Sequence, residues 1–378
     1  SGLFGYMGYE MIQYFERVIL SKENNLELPD SIFIRPSMTL VFDNVNDKLF
    51  ITRSVSPSDK NPKESFNQAK NDILNLTKKI NQSLSKNSLE LQSFKKHIDV
   101  FKDVESNTNY KDFKRMVEKA KKLIFEGEIF QVVLSRIFKK KIKNKPLSIY
   151  RALRHLNPSP YLFYMSFKDF TIVGSSPEIL IKLDDKKVTI RPIAGTRKRG
   201  VNKHEDDKLK NDLLNDSKEI SEHLMLLDLG RNDISRVSQP GTVKVTDKMY
   251  IEYFSHVMHI VSNIEAKLKD KNDSTDVLFS GFPAGTVTGA PKIRAIQVIE
   301  QLEKSRRNVY AGSVGYISNN GDVNTCIALR TALIKNNYIY VQAGAGIVAD
   351  SKPKNEFKET ENKALAILTA CAYANNFK

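Results

Sequence analysis

The chain has 378 residues, of which 40% are hydrophobic, and a formal net charge of +15, a composition typical of globular proteins. No run of about 18 apolar residues occurs, so we expect no membrane-spanning helix. The two cysteines, Cys326 and Cys371, lie in apolar segments, which is typical of buried thiols in a reducing compartment rather than of a disulfide framework. We therefore expect a cytoplasmic protein.

The first hundred residues predict two strands and one helix. Strand-like runs occupy Ser37–Asp43 and Lys48–Val55, and apolar residues recur at helical spacing from Glu64 to Leu84. The polar stretch 85–109 predicts a connecting segment.

From Tyr110 onward, helical patterns are interleaved with strand-like runs. The predicted helices are Tyr110–Glu126, Pro146–Leu156, Asp207–Leu227, Ala290–Glu303 and Asn355–Ala374. The predicted strands are Phe130–Phe138, Tyr161–Phe167, Phe170–Ser175, Lys187–Ile190, Ala311–Ile317, Cys326–Leu333 and Tyr338–Ala343. Because strands often follow strands directly, this order favours an α+β fold with large antiparallel sheets over a doubly wound parallel sheet.

Three segments between these elements are rich in glycine and other small residues. They are Arg191–Arg197, Gly281–Lys292 and Gln342–Asp350. Exposed backbone N–H groups at such turns can hold an anion, although any one of them taken alone is equally well explained as a tight turn.

A pair of glutamates three residues apart occurs twice, as Glu219 with Glu222 and as Glu356 with Glu359. Residues at this spacing share one helix face. Two such helices facing each other would suit Mg²⁺, which takes one or two protein carboxylates and completes its coordination with water and substrate oxygens. For either pair alone, a solvated helix with ion pairs such as Glu359 with Lys363 is the commoner arrangement.

Two further residues are candidates for the functional site, and Arg330 is the stronger of the two. His259 lies in a largely apolar stretch, where a histidine is more often a core residue than a catalyst. Arg330 lies inside the predicted strand Cys326–Leu333, with no acidic residue nearby in sequence. A buried guanidinium is costly without a carboxylate partner, so a substrate carboxylate is a candidate partner for Arg330.

Taken together, these segments resemble the chorismate-utilising enzymes and, among them, the large subunits of anthranilate synthase. The match keeps a nearly unbroken motif order from about Tyr110 to Ala374. Its motifs are Gly127–Ser135, Asn157–Tyr161, Pro192–Arg197, Leu227–Asp233, Gly285–Lys292, Asp322–Cys326 and Val341–Gly346.

The resemblance implies an α+β fold with two large packed, mainly antiparallel β-sheets flanked by helices. It also implies Mg²⁺ as the cofactor and a reaction in which ammonia aminates chorismate with loss of the 4-hydroxyl. Elimination of pyruvate would then give anthranilate, the first step of tryptophan biosynthesis. A separate glutaminase small subunit would supply ammonia from glutamine, because no segment of this chain resembles its nucleophilic cysteine.

Residue roles carry over from the family motif by motif. Glu222 and Glu359 resemble the direct metal ligands, with Glu356 beside them. Glu219 is the candidate proton donor, and His259 would orient the departing hydroxyl. The residues implied to hold chorismate are Gly195, Thr196, Tyr310, Arg330, Gly344, Ala345, Gly346 and Lys363.

Two positions are expected to select the reaction within the family. Relatives that add water carry a lysine where this chain has Gln131, and glutamine cannot act as that base, which favours ammonia. Aminodeoxychorismate synthases typically carry a lysine where this chain has Ala194, which favours anthranilate as the product.

The N-terminal region departs from the family pattern. We expect residues 1–106 to be a truncated remnant of that region, packed as one globular unit with a catalytic core of residues 107–378. The family's tryptophan site is then represented only by the wall that Pro160, Tyr161 and Leu162 match, with L-tryptophan a candidate feedback inhibitor.

Two rival functions remain open. The first is the large subunit of an aminodeoxychorismate synthase. The second is a basic module that binds nucleic acid, suggested by the net charge and by the six basic residues among the ten of Arg136–Lys145. This stretch lacks the additional arginines and stacking aromatics that such binders usually carry, so we expect no nucleic-acid partner.

Overall fold

The structure, a computed structural model, describes residues 2–55, 61–82, 99–254 and 257–377. The strands in these ranges are β1 Gly2–Met7, β2 Ser31–Ile34, β3 Met38–Asp43, β4 Lys48–Arg53, β5 Glu105–Ser106, β6 Gln131–Lys141, β7 Tyr161–Ser166, β8 Thr171–Ser176, β9 Ile179–Asp184, β10 Lys187–Ile190, β11 Ile193–Lys198, β12 Lys244–Tyr253, β13 Val257–Lys267, β14 Gly289–Ala290, β15 Ser313–Ser318, β16 Val323–Ile327, β17 Thr331–Lys335 and β18 Tyr338–Ile347.

The same ranges contain nine α-helices. They are α1 Pro62–Ile80, α2 Tyr110–Phe125, α3 Pro146–Leu156, α4 Lys203–Asn215, α5 Ser217–Ser235, α6 Ser274–Ser280, α7 Gly285–Thr288, α8 Lys292–Leu302 and α9 Pro353–Tyr373, with short 3-10 helices at Tyr9–Tyr14 and Ala374–Phe377. Of the helices in the described ranges, none has the length and apolar character that a bilayer crossing requires.

Two large antiparallel sheets organise the molecule. The first has nine strands in the order β11-β13-β10-β9-β16-β15-β1-β2, with β12 paired to β13. The second has seven strands in the order β14-β6-β18-β17-β8-β7, with β5 paired to β6. Strands β3 and β4 form a separate hairpin, against which α1 packs. The expected α+β fold with two large antiparallel sheets is confirmed.

The sheets and helices share buried apolar clusters. Tyr6 and Val314 of the nine-stranded sheet pack in one cluster with Ile172 and Leu333 of the seven-stranded sheet. Helices α3 and α9 cover the seven-stranded sheet with buried residues such as Leu153 and Ile367. These clusters fix α9 against β18, a placement on which the candidate site depends.

One predicted helix is wrong in its extent. The pattern Asp207–Leu227 predicts a single helix, whereas the chain forms α4 and α5 on either side of Asp216. The Asp216 side chain accepts hydrogen bonds from the backbone N–H groups of Lys218 and Glu219. This is an N-cap, and it starts a new helix where hydrophobic spacing alone suggested continuity.

The predicted strand Cys326–Leu333 is also wrong, because the chain leaves β16 at Ile327 and enters β17 at Thr331. Arg330 lies in the gap with a positive φ of +46°, a conformation that non-glycine residues rarely adopt. Its side chain therefore projects from a strained connection between two strands rather than from a strand. The long strands β12 and β13 were not predicted.

The cysteines behave as expected. Cys326 and Cys371 are both free and buried. Burial raises the pKa of both thiols, which keeps them protonated and unreactive at neutral pH.

Candidate active site

Helix α5 presents Glu219 and Glu222 close to its capped N-terminus. The Nε2 of Gln131, the first residue of β6, donates a hydrogen bond of 3.1 Å to Oε1 of Glu222. Burial raises the pKa of Glu222, and the nearby carboxylates of Glu219 and Glu359 raise it further. The two predicted glutamate pairs therefore lie within electrostatic reach of each other.

Helix α9 supplies the second pair. Lys363 lies one turn after Glu359, and its Nζ is 2.7 Å from Oε1 of Glu359 and 3.0 Å from the carbonyl oxygen of Gly344, to which it donates. Burial raises the pKa of Glu356, with a further contribution from Glu359. The ammonium of Lys363 lowers the pKa of both Glu222 and Glu356, which places Lys363 among the acidic residues of two helices.

Strand β11 brings the small-residue segment against α5. Its register with β13 shifts between Ala194 and Thr196, and Gly195 has a φ of +68° at this bulge. A Cβ on Gly195 would lie 3.3 Å from Oε2 of Glu219. The backbone conformation therefore favours glycine here, and a Cβ would also be crowded against the carboxylate.

His259 on β13 contacts the same segment. Its Nδ1 is 3.0 Å from the carbonyl oxygen of Gly195 and 3.0 Å from Oγ1 of Thr196. A carbonyl only accepts, so Nδ1 carries the proton and Nε2 is the basic nitrogen. Burial lowers the pKa of His259, and the charges of Arg330 and Lys363 lower it further. His259 is thus a neutral imidazole that contacts the Gly195–Thr196 loop and lies near two cations.

Strand β18 forms the opposite wall through Gly344, Ala345 and Gly346. A Cβ on Gly344 would come within 2.7 Å of the Tyr310 hydroxyl, and one on Gly346 within 2.5 Å of Nε2 of Gln131. Burial raises the pKa of Tyr310 to about 12, while a hydrogen bond with the Gly344 backbone lowers it. Tyr310 therefore remains a neutral hydroxyl at the edge of the site.

Arg330 has no ion-pair partner among the described residues. Burial lowers the pKa of its guanidinium, and its charge acts on His259. A buried cation without a carboxylate is unfavourable in the absence of an anionic ligand. The position of Arg330 beside His259 and the Gly195 loop suits a ligand carboxylate.

One candidate residue was missed in the sequence. Glu178 lies between β8 and β9, is 7% exposed, and has its pKa raised by burial to about 8, with Thr286 and Lys363 near enough to oppose the rise. The sequence feature that could have identified Glu178 is its place at the end of Ser175–Glu178, between two apolar strands. A glutamate in such a position is expected to be buried, and glutamates are almost never buried without a specific reason.

The other predicted residues are Ala194, which lies beside the site, and Pro160, Tyr161 and Leu162 of the expected tryptophan site. Ala194 is 8% exposed and lies directly before the Gly195 bulge. Pro160 is exposed, and Tyr161 and Leu162 are half-buried on or beside the edge strand β7. The Tyr161 hydroxyl donates to Oδ1 of Asn324 at 2.9 Å, so this wall faces β16 of the other sheet.

The acidic residues fit an oxygen-preferring cation in part. Among residues 2–55, 61–82, 99–254 and 257–377, no three His, Cys, Asp or Glu side chains form a ready metal-binding group. However, Glu222 and Glu356 are half-buried carboxylates whose pKa values are raised by burial and by like charges. A Mg²⁺ site that uses few protein ligands and completes its coordination with water and substrate suits this donor set.

Comparison with known proteins decides the family. Residues 1–369 match the model of the chorismate binding enzymes. The chain belongs to the chorismate binding enzyme family. The resemblance predicted from the sequence motifs is thereby confirmed.

Among the curated members of the chorismate binding enzyme family, anthranilate synthase component 1 of Aquifex aeolicus is 45% identical over 374 residues, which cover 99% of this chain and 75% of that protein. The same component from Neisseria meningitidis serogroup B is 46% identical, covering 98% of this chain and 74% of its own length.

Solved structures agree with this placement in the chorismate binding enzyme family. Anthranilate synthase component I from Streptococcus pneumoniae superposes with a TM-score of 0.86 at 38% identity, covering 97% of this chain and 80% of that chain. The menaquinone-specific isochorismate synthase from Escherichia coli superposes with a TM-score of 0.78 at 25% identity, covering 98% of this chain and 78% of its own. The α5, α9 and β11 residues described above thus lie in a fold shared with an anthranilate synthase component and an isochorismate synthase.

Proposed function

We propose that this chain is the synthase component of an anthranilate synthase, which converts chorismate and ammonia into anthranilate, pyruvate and water. Relatives that carry this name are 45% and 46% identical over nearly the whole chain. The observation that carries the proposal is the convergence of acidic residues from α5 and α9 around Lys363, together with the buried guanidinium of Arg330, which has no ion pair among the described residues.

Chorismate is a dianion, and the site offers complementary groups for both of its charges. Arg330 and the backbone of the Gly195 and Gly344–Gly346 segments suit one carboxylate. The glutamates cannot bind the other carboxylate directly, and a divalent cation resolves that conflict. Glu222 and Glu359, with Glu356 and Glu219 beside them, would hold Mg²⁺, which when bound neutralises the ring carboxylate and draws electron density from the ring.

Loss of the 4-hydroxyl as water requires a proton donor. Glu219 remains a candidate from its motif, but its Oε1 accepts a hydrogen bond from the guanidinium of Arg197 at 3.2 Å. Glu178 is the stronger candidate, because a pKa of about 8 keeps this buried carboxyl protonated at neutral pH. The basic Nε2 of neutral His259 is suited to orient the same hydroxyl.

Two side chains favour ammonia as the nucleophile and anthranilate as the product: Gln131 cannot act as a base, and Ala194 cannot attack the ring. Gln131 donates its amide to Glu222 and has no group that could deprotonate water, whereas ammonia needs no deprotonation before attack. Ala194 offers no amine for covalent attack on the ring. These two positions favour anthranilate over isochorismate and aminodeoxychorismate.

The names of the relatives also indicate a partner protein. Both relatives are named as component 1, which implies a second component. We propose a glutaminase subunit as that component and L-tryptophan as a candidate feedback inhibitor, with Pro160, Tyr161 and Leu162 forming one wall of its site.

The ligand assignment predicts that Glu359→Gln abolishes Mg²⁺-dependent turnover. The variant removes one negative charge from the proposed metal site without changing side-chain volume, so we expect kcat/KM to fall by at least about 10²-fold. Anthranilate fluorescence would be followed with chorismate and an ammonium salt across a range of Mg²⁺ concentrations. Glu118→Gln, at an exposed position of α2 where 55% of the side chain is accessible, is the control. Unaltered kinetics in Glu359→Gln, with circular dichroism like that of the wild type, would refute the assignment.

A further inference from the structure

The guanidinium of Arg197 joins the Gly195–Thr196 loop to α5, the helix that carries Glu219 and Glu222. Arg197, on β11 directly after Thr196, donates from Nε to Oδ2 of Asp212 and from Nη2 to Oδ2 of Asp216, both at 2.7 Å. Its Nη1 donates to Oε1 of Glu219 at 3.2 Å and to the carbonyl oxygen of Thr196 at 3.1 Å.

The three carboxylates occupy different structural positions. Asp212 belongs to the last turn of α4 and is mostly exposed, with 61% of its side chain accessible. Asp216 is the N-cap of α5 and Glu219 lies in the first turn of that helix. Arg197 itself is 22% exposed, so its ion pairs with Asp216 and Glu219 are partly shielded from solvent.

This geometry constrains where Glu219 can lie. The carbonyl of Thr196 and the carboxylate of Glu219 share Nη1 of one rigid, planar group, while Nη2 holds the cap that starts α5. Movement of α5 relative to the Gly195–Thr196 loop would break at least two of these hydrogen bonds. A lysine could not replace the arrangement, because one ammonium lacks the planar fork that reaches several acceptors in fixed directions.

We infer that Arg197 is a positioning residue, which fixes Glu219 and the first turn of α5 against the Gly195–Thr196 loop. The inference rests on the proposed function for its effect on turnover, but the positioning itself is a property of this chain alone. A displacement of about 1 Å in an active site can cost on the order of 10²-fold in rate, and α5 also carries Glu222 of the proposed metal site, so the contact matters although Arg197 touches no reacting atom.

A double-mutant cycle tests the inference. Arg197→Lys should lower kcat by about 10- to 100-fold, and the Arg197→Lys, Glu219→Gln double variant should be no slower than the slower single variant. Arg199→Lys is the matched control: Arg199 pairs with Asp206 of α4 and, among the described residues, forms no hydrogen bond or ion pair with α5, so its kcat should stay within about two-fold of the wild type. Multiplying effects of the two single variants would overturn the inference, as would a wild-type kcat in Arg197→Lys.

A structural measurement separates this inference from the proposed function. If wild-type protein fails to aminate chorismate, the proposed function fails, yet a crystal structure of Arg197→Lys still decides the positioning role. We expect the Glu219 carboxylate and the first turn of α5 to shift from their wild-type places. Unmoved coordinates would overturn the inference whatever the reaction. Arg197→Gln, which keeps one amide donor, serves if the lysine variant does not fold.

Discussion

Glu178→Gln should slow the amination of chorismate by about 10²- to 10⁴-fold, the usual range for loss of a general acid, while making the folded protein more stable at pH 8. Both effects have one origin. Burial raises the pKa of Glu178 to about 8 from its ordinary 4.5, so at neutral pH the folded protein holds a proton that the variant cannot donate.

The stability effect has a definite sign. Above pH 4.5 the unfolded chain loses the Glu178 proton, whereas the folded protein keeps it until about pH 8. The unfolded state is therefore favoured increasingly as the pH rises through this window, and the change levels off above it. Glutamine has no proton to lose, so the variant escapes a penalty on the order of a few kcal/mol.

Urea unfolding of the wild type and of Glu178→Gln at pH 5 and pH 8 measures the difference. The exposed Glu118 on α2, whose side chain is 55% accessible, provides the control variant Glu118→Gln. We expect the Glu178 variant to gain stability relative to the wild type between the two pH values, and the control to gain none. Equal pH dependence in all three proteins, or full turnover in Glu178→Gln, would contradict the assignment.

Glu303→Gln should destabilise the protein by about 3–5 kcal/mol, the usual cost of breaking a buried ion pair. Glu303 and Arg307 have side chains that are 3% and 1% exposed, and Oε1 of Glu303 lies 2.6 Å from Nη2 of Arg307. The same Oε1 accepts hydrogen bonds from the backbone N and the Oγ of Ser135 at 2.7 and 2.8 Å. Neutral glutamine would leave the guanidinium buried without a counter-charge.

The pair also supports the candidate site. The Arg307 guanidinium lies 4.9 Å from the ring centroid of Tyr9 and 5.5 Å from that of Tyr310. Breaking the ion pair should therefore disturb Arg307 and, with it, the Tyr310 hydroxyl beside Gly344. Guanidinium chloride unfolding of the single and paired variants measures the coupling. Replacing both residues by apolar ones should cost less than the single change, because no unpaired charge remains. A loss below about 1 kcal/mol in Glu303→Gln would contradict this account.

Local pattern was sufficient for many elements of the fold. Helix α3 was predicted with its observed bounds, Pro146–Leu156, and strand β10 with its observed bounds, Lys187–Ile190. Both combine clear hydrophobic spacing with short, sharp boundaries. The split at Asp216 and the break at Arg330 depend on a cap and on a strained backbone, which hydrophobic spacing does not encode.

The candidate site shows a similar division. Motif resemblance named the glutamates of α5 and α9, but not the bond between Gln131 and Glu222, which are 91 residues apart. Glu178 was missed because its raised pKa arises from burial between distant segments, and Arg197 because its three carboxylates meet it only after α4 and α5 fold. Such properties belong to tertiary structure rather than to any local run of residues.

Product analysis distinguishes anthranilate synthesis from the other chorismate reactions. Purified chain would be incubated with chorismate, Mg²⁺ and an ammonium salt, and both products would be quantified by chromatography. We expect anthranilate and pyruvate in equal amounts. Accumulation of aminodeoxychorismate without pyruvate, or of isochorismate, would contradict the proposed function.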